Sequence, residues 1–174
     1  MPRRPPLVWL ALVPTALLSL LAARHPGILL ALRRDPEALR AGQWWRVISP
    51  VLVQPDAAWA VGGLLWLMLW LCLLAERALG ARAALTFYVL GALVGHTVGM
   101  VWQPYGAGCS VAGCAMLGGL AVWLLRRRAS PPPRAVAVGA AMLVVGGGVA
   151  LAVLRDIHGP PLLAGVALGA LSRR

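Results

Sequence analysis

The chain alternates long apolar runs with short clusters of arginine, proline and glycine, and this alternation limits what it can fold into. Six runs can be drawn, at about 7–23, 57–75, 83–102, 109–125, 135–154 and 157–171. Most approach the ~20 residues that an α-helix needs to cross a bilayer, and the last is short. Hydrophobic residues make up 60% of the 174, and the mean hydropathy is +0.81. A soluble core cannot hide that much apolar surface behind 12% charged residues. The expected fold class is therefore all-α, a polytopic membrane bundle of six helices forming a single domain over 1–174. The opening segment, with Pro14 inside its apolar run and no small-x-small cleavage site before Arg24-His25-Pro26, reads as a retained first helix.

The net charge of +11 would suggest nucleic acid in a soluble protein. Here every basic residue is arginine, and most stand at the ends of apolar runs, as interfacial anchors and topology signals do. No nucleic-acid partner is expected; the partner surface is the lipid bilayer. With the N-terminus inside, the inner loops hold Arg3, Arg4, Arg77, Arg82, Arg126, Arg127, Arg128, Arg134, Arg173 and Arg174. The outer side holds Arg24, Arg33, Arg34, Arg40, Arg46 and Arg155, mixed with Asp35, Glu37 and Asp56. The bias puts both termini in the cytoplasm, and the expected location is the plasma membrane. Cys72, Cys109 and Cys114 lack metal-like spacing and read as buried small hydrophobes, so neither a disulfide framework nor a metal or other cofactor is expected.

The long first loop, 24–56, carries the amphiphilic run Leu39-Arg40-Ala41-Gly42-Gln43-Trp44-Trp45-Arg46-Val47-Ile48. Paired tryptophans flanked by arginines suit a headgroup interface, which predicts an element lying in the membrane plane. Gly91, Gly95 and Gly99 recur every fourth residue and make one helix stripe fit for close backbone approach. Gly113 and Gly118 share a face with Ser110, and Pro161, Gly165 and Gly169 share one with His158. His96, within the Gly91–Gly99 stripe, reads as a packing histidine bonded to a neighbouring helix.

Polar groups in hydrocarbon are costly unless they have a partner or a water cavity. Ser110, in Gly108-Cys109-Ser110-Val111-Ala112-Gly113, and His158, in Asp156-Ile157-His158-Gly159-Pro160-Pro161, each open an apolar run from the expected outer face. A hydroxyl and an imidazole at similar depth on two helices have the makings of a nucleophile–base dyad. The bland reading of each is simpler: an N-cap serine and an interfacial histidine.

The order and spacing of these motifs resemble the rhomboid intramembrane serine proteases over about 43–169. Trp45-Arg46 with Ser49-Pro50 looks like the family's Trp-Arg motif, and Glu76 with Gly80 like its Glu-x-x-x-Gly. Gly108-Cys109-Ser110 is similar to the Gly-x-Ser of its nucleophile, and His158 with Gly165 and Gly169 to its histidine helix. The segments 103–112 and 158–161 resemble an actinobacterial group of rhomboid-like proteins, which implies a bacterial source. The resemblance implies a six-helix rhomboid-like bundle with an interfacial first loop. It also implies catalytic Ser110 and His158, backbone oxyanion donors at Cys109 and Ser110, and transmembrane protein clients. Asp156 or a backbone carbonyl is available to orient the imidazole.

The departures are specific. The family's His-x-x-x-Asn oxyanion pair falls on Ala60 and Leu64, Val111 replaces the small residue after the nucleophile, and Cys114 replaces the aromatic that stacks on the histidine. Two functions follow: an intramembrane serine endopeptidase working through a Ser-His dyad, and an inactive rhomboid-like protein that binds membrane clients. A transporter would need ionisable groups well inside a span, where only His96 qualifies. Substrate, oligomeric state and physiological role have no sequence signal.

Overall fold

A computed structural model of the chain describes residues 8–55, 58–127 and 133–172. Arg3, Arg4, Asp56, Arg128, Arg173 and Arg174, which enter the charge count above, lie outside the described residues, as does the side chain of Ala60. The regular elements of the described chain are all helices, the α-helices being α1 (Val8–Arg24), α2 (Pro26–Leu32), α3 (Pro36–Arg40), α4 (Ala58–Leu79), α5 (Ala81–Trp102), α6 (Ser110–Arg126), α7 (Arg134–Val153) and α8 (Gly159–Leu171). By length and composition, Val61–Leu79, Ala81–Trp102 and Arg134–Val153 are able to cross a membrane. Trp9–Arg24, Ser110–Arg126 and Gly159–Leu171 are shorter apolar helices. Exposed Trp66 and Trp70, stacked edge to face with centroids 5.6 Å apart, belong to the lipid side of α4.

Helix α6 is the axis of the bundle. It touches α4, α5, α7 and α8, and its contact with α8 is the most extensive in the molecule. Small residues make this possible. A Cβ added at Gly165 would run into the backbone of Ala115, and one at Gly118 into the backbone of Leu162 and Gly165. The two helices therefore meet backbone to backbone, the arrangement that small-residue stripes allow in membranes. The α5 stripe works in the same way. Gly91 lies against Val111 and Ala112, Gly95 against the Val111 side chain, and Gly99 against the Arg34 guanidinium.

The segment expected as one in-plane element is instead broken. Leu39 and Arg40 end α3, a turn at 41–43 follows, and two 3-10 turns cover Trp44–Val47 and Ser49–Leu52. Gly42 at φ +93 and Pro50 interrupt any continuous helix. Trp44 and Trp45 are exposed, as an interface would have them, but Arg46 is buried. Its guanidinium donates to Gln43 Oε1 at 2.7 Å and to the carbonyls of Leu30 and Arg33, both at 2.8 Å. Arg46 is thus the internal clamp of the first loop and not a headgroup anchor. Ser49 adds a bond to Leu32 O at 2.8 Å. Helix α1 holds the same loop from the other side, with Thr15 Oγ1 donating to Val51 O at 3.3 Å and Ser19 Oγ accepting from Gln54 N at 3.0 Å.

Gly165→Val should therefore destabilise the fold by about 3 kcal/mol or more, because the obstruction is backbone and overpacking already costs about 1–3 kcal/mol where side chains can yield. Gly139→Ala on α7, where a Cβ meets nothing within 4 Å, should be neutral or stabilising by up to about 1 kcal/mol. Thermal unfolding in detergent of the two variants beside the parent checks both.

Candidate active site

The turn from α5 to α6 is built by glycine. Gly108 has φ +131, a region L-residues rarely adopt, and a Cβ there would approach Gln54 Oε1 to 2.9 Å. Its N–H donates to Pro50 O at 2.8 Å, which ties the turn to the first loop. Cys109 then caps α6 without a side-chain bond, and Ser110 is the first helical residue. The serine hydroxyl is not spent on capping: it lies 2.8 Å from His158 Nε2.

His158 reaches this position from another helix end. Helix α7 closes with Arg155 at φ +55 and with Asp156 N donating to Leu151 O at 2.8 Å, a 6→1 reversal that resembles a Schellman turn. This reversal aims Asp156 at the next residues. Its Oδ1 accepts from His158 N at 2.9 Å and lies 2.6 Å from His158 Nδ1. Pro160 and Pro161 follow in the first turn of α8, where missing N–H groups cost nothing. The side chains of His158 and Asp156 are each 34% exposed, so the pair opens to solvent at this end of the bundle.

The hydrogen-bond chemistry dictates the imidazole tautomer. Burial opposes ionisation of Asp156, but the backbone and ring N–H groups of His158 outweigh it and hold the carboxyl below its ordinary value of 3.8. An ionised carboxylate only accepts, so Nδ1 carries the proton and Nε2 is left to accept from the Ser110 hydroxyl. A continuous line of Asp156, His158 and Ser110 results, with the polarity a nucleophile–base pair requires.

The amides of Cys109, Ser110 and Val111 donate to no backbone carbonyl among the described residues. They form the N-terminus of α6, where free N–H groups and the helix dipole favour negative charge. Leu64 is partly buried against the apolar core and offers no donor. Val111 is accommodated by the absent side chain of Gly95. Gln54 is buried, with Nε2 donating to Cys109 Sγ at 2.9 Å, so it supports the residue beside the nucleophile position. Cys72, Cys109 and Cys114 are all free thiols.

Two arginines brace the turn. Arg34 is 2% exposed and donates its backbone N–H to Gly106 O at 2.7 Å and Nε to Gln103 O at 3.2 Å, while Nη1 lies 2.8 Å from His96 Nδ1. Arg33 stacks over Tyr105, 5.1 Å from the ring centre. His96 is wholly buried and packs as expected, but its partner is this first-loop arginine and not a neighbouring helix. The sequence reading missed Arg34, counting it only as an outer charge. The one signal was the gap at Gly99, three residues after His96, which the guanidinium fills. Among the other motif residues, Trp45 Nε1 donates to Ala31 O at 3.2 Å. Glu76 lies in the last turns of α4, its carbonyl accepting from Gly80 N at 3.0 Å, and Gly80 at φ +86 makes the break into α5.

Comparison with known proteins agrees with this architecture. The family model for the rhomboid domain matches residues 41–172. The chain is also similar to the rhomboid-like protease 3 of Toxoplasma gondii, 33% identical over 81 residues that make up 45% of this chain. It covers 30% of that protein's length. The chain belongs to the rhomboid family, as a helical membrane protein.

Asp156 has a testable electrostatic signature. A carboxyl held below its ordinary value contributes stability that is complete above pH 3.8 and is lost as pH falls through its lower folded value. The stability difference between the parent and Asp156→Asn should stay level from neutral pH down to that point and shrink below it, as read by thermal melts across a pH series.

Proposed function

We propose that this chain is an intramembrane serine endopeptidase that cleaves membrane-protein clients. The observation that carries the reading is the unbroken hydrogen-bonded line from Asp156 through His158 to Ser110. In this mechanism His158 Nε2 accepts the Ser110 proton as the hydroxyl attacks a peptide carbonyl, and then protonates the leaving amine. Asp156 keeps Nδ1 protonated and stabilises the imidazolium. Water, activated by the same nitrogen, hydrolyses the acyl-enzyme. The oxyanion is taken by the backbone amides of Cys109 and Ser110, with no side-chain donor at Ala60 or Leu64. One lost donor typically costs about 10²–10³ in rate, so turnover is slow by the standard of a full oxyanion hole.

The clients are transmembrane segments whose backbone unwinds at the outer face, where the α6 and α8 N-termini open. The expected setting is the plasma membrane, with both termini cytoplasmic. The missing side-chain donors at Ala60 and Leu64 support a second reading, an inactive family member that retains client binding without cleavage.

A fluorophosphonate probe separates the two. Under the protease reading it labels the purified protein, Ser110→Ala and His158→Ala abolish labelling, and Asp156→Asn slows it by on the order of 10². Absence of labelling in folded protein, with membrane clients still co-purifying, favours the inactive binder.

A further inference from the structure

The end of the bundle opposite Ser110 holds a cavity of about 350 Å³, enclosed by the ends of α4, α6 and α8 and the start of α5. Its walls are apolar, with Phe87, Val122, Trp123 and Leu168 contributing and Gly119 leaving space. Thr86 Oγ1 is tied back to Arg82 O at 3.0 Å, so that hydroxyl is already engaged. The charge is at the rim, and its two arginines differ. Arg126 is committed to the fold, donating to the carbonyls of Gly169 at 3.0 Å, Ser172 at 2.7 Å and Ala170 at 2.6 Å, where it closes the C-terminus of α8. Arg127 stacks over Trp123, 4.6 Å from the ring centre, and is exposed. Its guanidinium donates to no acceptor among the described residues, and only its backbone N–H is bonded, to Leu124 O at 3.3 Å. Exposed Arg77 and Arg82 stand at the same end of the bundle.

We propose that this cavity binds an anionic phospholipid of the adjoining leaflet, with part of one acyl chain inside and the phosphate on the Arg127 guanidinium. The volume is near the lower end of ligand cavities, which suits a chain segment and not a whole lipid. An apolar slot with an unspent planar cation at its mouth, surrounded by further arginines at headgroup level, matches the two halves of such a lipid. A neutral lipid fills the slot equally well but leaves the cation unpaired. The site is independent of the chemistry at Ser110.

The test uses the full chain in phosphatidylcholine nanodiscs doped with phosphatidylglycerol or phosphatidylcholine carrying a photoreactive group on one acyl chain. Cross-links are mapped by mass spectrometry. The phosphatidylglycerol probe should label the cavity peptides containing Phe87 and Leu168 roughly fivefold more than its neutral counterpart, and the surface-exposed change Arg127→Gln should erase that preference. Ala83→Trp, which fills the slot, should suppress cavity labelling by both probes. Because the tryptophan variant risks misfolding, Arg127→Gln is the deciding arm, with its melting temperature measured alongside. Equal labelling by the two probes, or a preference that survives Arg127→Gln in folded protein, overturns the proposal.

Discussion

The contact of α6 with α8 is the constraint on which the rest of the molecule depends. Ser110 and His158 are 48 residues apart in the chain and belong to different helices, yet their side chains lie 2.8 Å apart. A serine hydroxyl is short, so no flexible side chain can bridge a gap between helices of ordinary spacing. The helices themselves must approach, and they do so because Gly118 and Gly165 carry no Cβ. In a membrane this packing is driven by van der Waals contact and not by water exclusion. Shape complementarity therefore decides it, and a single methyl at the crossing is felt at the site.

Polar clamps at the Ser110 end of the bundle then set the fine geometry. Arg46 gathers the first loop around three acceptors, and Arg34 fastens the turn before α6 to that loop through Gly106, Gln103 and His96. Both guanidiniums are almost fully buried, and a buried cation without acceptors would be prohibitive. Satisfied as they are, they hold loops that have little apolar surface of their own. The role that the family motif gives to Trp45-Arg46 is thereby divided: the tryptophan lies outward and the arginine supports from within.

The departures from the rhomboid pattern are not equivalent in physical terms. Val111 is a packing change, and Gly95 facing it takes up the extra volume. Cys114 takes the place of a ring in the family pattern, while Asp156 holds His158 with two hydrogen bonds, one from its backbone N–H and one from its ring Nδ1. The absence of side-chain donors at Ala60 and Leu64 is not a packing change, and under the proposed protease reading it leaves the α6 amides to take the oxyanion. The protease reading therefore turns on one charge, the one that develops on the carbonyl oxygen.

Much was legible in the sequence because bilayer insertion is written locally. Run length, arginine at the run ends and glycine spacing specified an all-helical membrane bundle, and the motif order pointed to the rhomboid family and to Ser110 and His158. Local patterns do not encode partners across the fold. Nothing near Arg34 announces that it will be buried against His96, and Arg46 looked like a headgroup anchor until three acceptors surrounded it. Asp156 was only one of the groups available to orient the imidazole, until the left-handed Arg155 turned it toward Nδ1. Sequence alone determined the six long apolar helices, because hydrophobicity and hydrogen-bond closure act along the chain, but not the short α2 and α3 of the first loop. The tertiary structure decided which polar groups meet, because that depends on how closely separate helices can approach, and only their packed surfaces set that distance.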